Sequence, residues 1–483
     1  MSLSGAISSA QASLSNTSTQ TAVISRNISN ANNPDYARRD AVLATSLYGA
    51  NVVTTQRAQD TVLFRASLKG TAESSAQTTL LDGLSRMKDI YGGNDYESSP
   101  ASLIATMRDT LATFAAKPGE TTLAATAIAD ATLVAAGLRD ASAAVQTVRS
   151  NADQQISLQV DKLNDLLARF KVANDGVFAG TQTGRDVNNE LDERDNLLKQ
   201  ISEIVGVSTV SRAGNDMALY TSDGTALFET VPRPVTFVAS GGFSASIPGN
   251  KVYIDGVPLS AGQGASTTAT GSLQAQLQIR DDLAPTMQRQ LDEIARGLVA
   301  TFSEKDQSAV PTLPDAPGLF TWVGGNVPAA GTLVAGMAAT IQVNPALLSN
   351  PNLLRDGGIN GAAYTSNTTG AASYSALLDS FVSGMDAPMT FDASAGIGTT
   401  GSLTSFAADS VGWLELNRSD ASSSAEIRSA YLYRASEAHS SATGVSLDEE
   451  MSLLLDLEQS YKAAARLLTT VDTMMQALLA VVR

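Results

Sequence analysis

The 483-residue chain has no cysteine and one histidine, His439. The first absence excludes a disulfide framework and thiol chemistry. The second leaves no ordinary zinc site, so His439 reads as a packed or solvated side chain. Lack of cysteine suits a reducing compartment, and equally a bacterial chain that leaves the cell unfolded and needs no redox help outside it. Aromatic residues make up 5%, and 32 Lys and Arg face 48 Asp and Glu, a formal net charge of -16. So acidic a chain cannot neutralise phosphates, which argues against nucleic acid, and its surface repels itself. No run of 18 consecutive apolar residues is present, so no membrane insertion is expected. The N-terminus lacks the basic, apolar and small-residue sequence of a cleaved secretory signal. There is no phosphate-binding glycine loop, dinucleotide fingerprint or G-x-S-x-G elbow. Asp192, Glu193 and Asp195 alternate with Arg194 and Lys199 and read as a solvated helix face, with i,i+4 pairs Glu190–Arg194 and Asp195–Lys199. No catalytic residue, cofactor or metal site is expected, and no enzyme activity.

What is present is concentrated at the ends. Residues 1–25 carry no Lys, Arg, Asp or Glu. Leu3, Ile7, Ala10, Leu14, Thr17, Thr21, Ile24 and Ile28 recur at alternating spacings of four and three, a heptad-like seam. Leu447, Met451, Leu454, Tyr461, Ala465, Leu468, Val471, Met475, Leu478 and Val482 repeat that rhythm, with Glu458 at one skipped position. Ser446 and Glu449 form an S-x-x-E capping box ahead of them. A terminal helix with a wide apolar stripe needs a partner, and pairing the two ends is the simplest solution. Between the N-terminal helix and the rest stands "NISNANNPDY", residues 27–36. Asparagine tolerates turns and Pro34 biases Asn33 away from helix, so the helix is expected to stop near Asn30 and residues 31–60 to form an extended or irregular connector.

Helices are predicted over 61–91, 100–117, 120–178 and 188–205, with Ser99 as N-cap before Pro100. Residues 206–270 alternate turn signals (Gly214-Asn215-Asp216, Ser222-Asp223-Gly224, Gly241-Gly242, Asp255-Gly256) with short β-prone runs, the pattern of hairpins. Helix returns from Ser272 to about Glu304. Residues 308–400 are rich in Gly, Pro, Ala, Ser and Thr, with a helical patch near Leu347 to Leu354, and helix resumes from about Leu403, broken near Gly444. The expected fold is mainly α with inserted β-rich domains in an elongated multidomain protein. Its expected parts are a terminal helical domain with connector (1–60 and 440–483), a helical rod (61–205, 271–307 and 401–439), a small β domain (206–270) and a mixed insertion (308–400).

These pieces resemble one family. "NISNANNPDYAR", Asn27 to Arg38, is similar to the N-terminal signature of flagellar rod, hook and hook-associated axial proteins. "VSLDEEM", Val445 to Met451, with "YKAAARLLTTVDTMMQALLAVVR", resembles their C-terminal segment. "LDERDNLLKQISEIVGVSTV", Leu191 to Val210, "GSLQAQLQIRDDLAPTMQRQLDEIA", Gly271 to Ala295, and "VNPALL", Val343 to Leu348, favour the hook-associated members over the hook protein itself. Ala464 departs from the family, which commonly has Asn in Tyr-x-Ala-Asn-Ala. The resemblance implies a structural protein joining hook to filament, not a secreted enzyme carried on the flagellum. It implies type III export, self-assembly into a ring through the terminal helices, and an extracellular place in the flagellum. The implied partners are the hook protein, a second hook–filament junction protein, further copies of the chain and an export chaperone. The implied assembly residues are Leu3, Ile7, Leu14, Ile24, Ile28, Asn30, Pro34, Tyr36, Leu447, Met451, Leu454, Tyr461, Leu468, Met475 and Leu478, with Tyr36 expected to pack on a neighbouring subunit.

Overall fold

A computed structural model describes residues 3–46 and 49–481. Val482 of the predicted stripe lies outside the described residues. The chain divides into two compact units: Met1–Ser74, Lys162–Val235 and Ile427–Arg483 form the first, Ser75–Asp161 and Thr236–Glu426 the second. Three of the four divisions fall inside long helices, which run on unbroken in the sequence and give no sign of them; the fourth falls within the short strand at Val235–Thr236.

The first unit begins with α1 (Leu3–Ser29), followed by the hairpin β1 (Arg39–Ser46) and β2 (Gly49–Arg57). The connector expected to be irregular is thus a hairpin. Arg39 pairs with Arg57, and the register slips once between Val42 and Leu43. The slip is a bulge, which breaks the strict alternation that would have marked the strands. The unit also holds the start of α2 (Thr61–Ile90) and, beyond α3 (Pro100–Ala116), the C-terminal part of α4 (Thr121–Thr183) and all of α5 (Asn188–Ile204). A sheet of β3 (Val207–Ser211), β4 (Met217–Thr221) and β5 (Ala226–Phe228) follows. It packs on α4 through Phe228 and Phe170, ring centroids 5.1 Å apart, edge to face.

The expected separate β domain is therefore not one body. β3–β5 share a core with α4 and α5 in the first unit, whereas β7 (Tyr253–Ile254) and β8 (Val257–Pro258), next after β6 (Val235–Thr236), belong to the second. The Asp255-Gly256 turn between β7 and β8 has φ of 50° and 80°, the left-handed pair that a two-residue hairpin needs. Gly241-Gly242 turns no strands; residues 237–252 are irregular.

In the second unit α6 (Ser272–Gln278) and α7 (Ala284–Thr301) are joined by a π turn, Ile279–Leu283. Pro285 explains it. Its ring would strike the carbonyl of Asp281 in a regular helix, and the wider i→i+5 turn relieves that crowding. The remaining elements are β9 (Phe320–Thr321), β10 (Gln342–Val343), α8 (Pro345–Ser349), α9 (Leu353–Asp356), α10 (Ala376–Asp386), β11 (Met389–Thr390), β12 (Thr400–Gly401) and the start of α11 (Leu403–Thr443). Residues 308–400 are no separate body either. Phe320, Ile341, Leu354, Phe381 and Phe391 lie in one core with Leu84, Met107, Val134, Leu291 and Leu414. Phe302 sits 5.4 Å from Phe320 and 5.0 Å from Phe381, and Phe391 stacks on Phe406 at 3.8 Å.

Among the described residues one helix, α4, is long and apolar enough by length and composition to cross a membrane, although it holds no run of 18 consecutive apolar residues. Its apolar character comes from alanine, and Ala124, Ala127, Ala131, Val134 and Leu138 are buried in the second unit's core. The last helix, α12 (Leu447–Val481), returns to the first unit and packs along α1.

Candidate assembly site: the elbow and the terminal helices

α1 ends at Ser29 because Asn27 turns the chain back on it. Asn27 is 1% exposed. Its Nδ2 donates to the Arg39 carbonyl at 2.9 Å, and its Oδ1 accepts from the Arg39 N–H at 3.1 Å and from the Tyr36 hydroxyl at 2.8 Å. One amide thus satisfies both backbone groups of the first hairpin residue, a demand that burial makes strict. Asn30 Nδ2 donates to the Arg26 carbonyl at 2.9 Å, and Asn33 Oδ1 accepts from the Asp35 N–H at 3.1 Å. Pro34 follows a helix end that the asparagines have already fixed. Tyr36 makes contacts within its own chain. It is half-buried beneath the Arg39 guanidinium, 4.9 Å from its ring centre, and burial pushes its hydroxyl pKa up.

The acidic cluster on α5 is the second half of the site, and here the reading of a solvated face fails. Asp192 takes Arg39 at 3.0 Å and Arg57 at 3.3 Å, and Asp195 takes Arg57. The Arg57–Asp192 contact is electrostatic and not aligned as a hydrogen bond, since both atoms lack one. Burial raises the Asp192 pKa despite both guanidiniums. Neither predicted i,i+4 pair forms. Glu190 pairs with Arg185, and Lys199 reaches Asp35 of the elbow at 3.1 Å. Arg194, 6% exposed, donates to Asn174 Oδ1 at 3.2 Å and to the Asn215 carbonyl at 2.6 Å. Glu193 stays at the surface with Arg169 at 3.0 Å. Asn189 accepts from Arg39 at 2.6 Å and Asn188 donates to the Thr55 carbonyl at 2.9 Å. α5 is the platform on which the hairpin and elbow dock.

Two clefts flank the elbow. One, of about 630 Å³, is lined by Pro34, Tyr36, Arg57, Lys199 and His439. The other, of about 550 Å³, is lined by Arg26, Asn30, Arg39, Asn189 and Asp192. His439 packs against Phe64 with ring centroids 5.4 Å apart, and burial, then Lys199, lowers its pKa. Of the two readings the sequence left for it, packed or solvated, the structure favours packing. Among the described residues no group of His, Asp and Glu has the arrangement of a metal site.

The elbow is also tied to the start of α12. The Arg38 N–H donates to the Thr443 carbonyl at 2.8 Å, and the Arg38 guanidinium pairs with Glu449 at 3.1 Å. Ser446 Oγ accepts from the Glu449 N–H at 3.4 Å. The capping box is thus half formed, with the Glu449 side chain drawn to Arg38.

The faces of the paired helices differ in how well the sequence marked them. On α1 the inward residues are Ala10, Thr17, Val23, Ile24 and Asn27, with Ile7, Leu14 and Ile28 half-buried, close to the predicted seam; the Leu3 side chain lies outside the described residues. On α12 the inward line runs through Glu450, Leu454, Leu457, Ala464, Leu468 and Val471. Leu447, Met451, Tyr461, Met475 and Leu478 of the predicted stripe are instead 42–56% exposed. α12 carries apolar residues nearly all round, so periodicity could not pick the face, and α1 is narrow enough to cover one strip. Ala464, where the family commonly has Asn, is buried. The position is inside the pair, where a methyl group needs no hydrogen-bond partner.

A family profile described as the flagellar hook-associated protein FlgK helical domain matches residues 84–318. A second, described as the flagellar basal body rod FlgEFG protein C-terminal segment, matches residues 437–481. Flagellar hook-associated protein 1 of Bacillus subtilis (strain 168) is 22% identical over 508 residues, 97% of this chain and 95% of that protein. The flagellar hook junction protein FlgK from Burkholderia pseudomallei aligns in structure with 53% of this chain and 46% of its own, at 20% identity and a TM-score of 0.44. By the two profiles and the end-to-end relative, the chain is similar to flagellar hook-associated proteins.

Proposed function

We propose that this protein is the structural piece that joins hook to filament, built into a ring through its terminal helices after type III export. The observation that carries the reading is the set of large apolar residues that α12 leaves uncovered, including Met451, Leu455, Tyr461, Met475 and Leu478. So many on one helix are rare on a monomer unless another chain covers them. α1, free of charge over its first 23 residues, suits dense side-by-side packing, where buried unpaired charge is costly. In this reading Leu3, Ile7, Leu14, Ile24 and Ile28 meet further copies, Asn30, Pro34 and Tyr36 set the angle of the helix, and Leu447, Leu454 and Leu468 complete the lining. The hook protein and a second junction protein are the neighbours, the 206–270 and 308–400 stretches face outwards, and an export chaperone covers α12 before assembly. Met475→Glu with Leu478→Glu tests it. The monomer's melting temperature should hold, while filaments fail to attach to hooks and filament subunits appear in the medium. Normal filament attachment in that strain would refute the reading.

A further inference from the structure

Residues 237–250 of the second unit run with neither helix nor strand. Among the described residues, this strap bonds its own backbone to itself only once, from the Ile247 N–H to the Ser244 carbonyl at 3.2 Å. Three buried charged side chains hold it instead. Arg149 and Asp153, each 3% exposed, lie one turn apart on α4, and Arg280, 0% exposed, lies in the π turn between α6 and α7. Arg149 Nη1 donates to the Ser244 carbonyl at 2.8 Å and Nη2 to the Ile247 carbonyl at 2.7 Å. Asp153 Oδ2 accepts from the Ser240 N–H at 2.7 Å, and Arg280 Nη2 donates to the Asn250 carbonyl at 2.6 Å. Arg280 Nη1 also pairs with Asp153 Oδ1 at 2.6 Å. A segment without a ladder must find partners of this kind for its backbone groups.

The π turn gives Arg149 its place. In it the Ala284 N–H donates to the Ile279 carbonyl, five residues back. In the same register the donor for the Arg280 carbonyl would be residue 285, and Pro285 has no N–H. Arg149 Nε fills the gap, donating to the Arg280 carbonyl at 3.1 Å. One guanidinium therefore completes the helix through Nε and carries the strap through Nη1 and Nη2. In an unbroken α register the Ala284 N–H would take the Arg280 carbonyl for itself, and Arg149 would lose its anchor. On the other side, Gly249 lies flat against Arg280, and a Cβ there would strike the guanidinium Nε and Cζ.

We propose that Pro285, Arg149 and Arg280 form a latch. The π turn that Pro285 imposes holds both guanidiniums where they clasp residues 237–250, and the strap comes free as a unit when either guanidinium is displaced. The strap adds no side chain to the core that Leu291, Ile294 and Leu298 of α7 help to form, so opening it leaves that core folded. The latch lies wholly in the second unit and stands whether or not the protein joins hook to filament.

Chymotrypsin tests this on the full-length chain. Phe237 and Phe243 of the strap lie against the Arg280 and Arg149 guanidiniums, 5.7 and 4.5 Å from their ring centres, and cleavage there needs the strap off the protein. Initial rates of nicking at these two sites are read beside hydrogen exchange along α7. The native chain should be nicked slowly. Pro285→Ala should raise the rate about tenfold or more, the scale of losing one charged hydrogen bond, with exchange over residues 291–298 unchanged. Gly249→Ala should do the same by pushing the strap off Arg280. It keeps the proline, so it tests the latch even where Pro285→Ala does not fold. A native nicking rate in either folded variant overturns the proposal. So does faster nicking matched by an equal loss of protection along α7, since the strap then opens only with the rest of the unit.

Discussion

Arg39 and Arg57 stand directly opposite each other across the β1–β2 hairpin, and both reach Asp192. Like charges facing across a strand pair destabilise it. Here the two guanidiniums, 6% and 7% exposed, are tolerable because one carboxylate from α5 lies between them. The hairpin is therefore held to α5 by charge as well as by packing, and several expectations follow from which atoms share that load.

Asp192→Ala leaves two buried arginines around an empty position, with Asp195 as the remaining anion. Removing one partner of a buried ion pair costs on the order of 3–5 kcal/mol. Urea unfolding of the full chain should show a loss in that range for the transition involving the first unit, with Asp192→Asn milder. A loss under about 1 kcal/mol, the size of a surface pair, would mean that the network does not hold the hairpin.

At the elbow, the asparagine matters more than the proline. A helix continued past Ser29 would have to break both hydrogen bonds between Asn27 and Arg39. Pro34→Ala should therefore leave α1 its length, with a stability change of about 1 kcal/mol or less. Asn27→Ala strands the Arg39 N–H and carbonyl and should cost roughly 2 kcal/mol or more. Hydrogen exchange at Asn33 to Tyr36 separates the cases, since new protection there in Pro34→Ala would show the helix running on.

Tyr36→Phe removes one hydroxyl from Asn27 Oδ1, which still accepts from Arg39. The expected cost is about 1 kcal/mol, visible in the melting of the monomer. If stability is unchanged and filament attachment fails, Tyr36 serves a neighbouring subunit and not its own α1.

Asp292 supplies a pH dependence in the second unit. It is buried and accepts N–H bonds from Gly336 and Ala338, both at 2.9 Å. Burial outweighs these bonds and pushes its pKa up to about 6. The folded value lies above the unfolded one, so the contribution to stability is full below about pH 4 and is lost as pH rises through about 6. Unfolding of the native chain and of Asp292→Asn across pH 4–7 should show that slope in the first and lose it in the second. Parallel pH profiles would rule Asp292 out as the source.

The sequence by itself determined the long helices and the cap of α3, where Ser99 Oγ does accept from the Ser102 N–H, at 3.2 Å. It determined the break between α11 and α12 near Gly444, the narrow apolar seam of α1 and the likeness to flagellar hook-associated proteins. These are local signals, written in spacing, propensity and motif within one segment. Tertiary structure decided the rest. Asp192 reads as solvated because its partners are Arg39 and Arg57, 153 and 135 residues earlier. α12 is apolar nearly all round, so which strip faces inwards depends on the width of α1. Residues 308–400 look like an independent insertion because their many turns hide single side chains, such as Phe320, Phe381 and Phe391, that complete a core begun at Leu80. Each of these outcomes is a contact between distant segments, and one segment's pattern cannot state what another will bring against it.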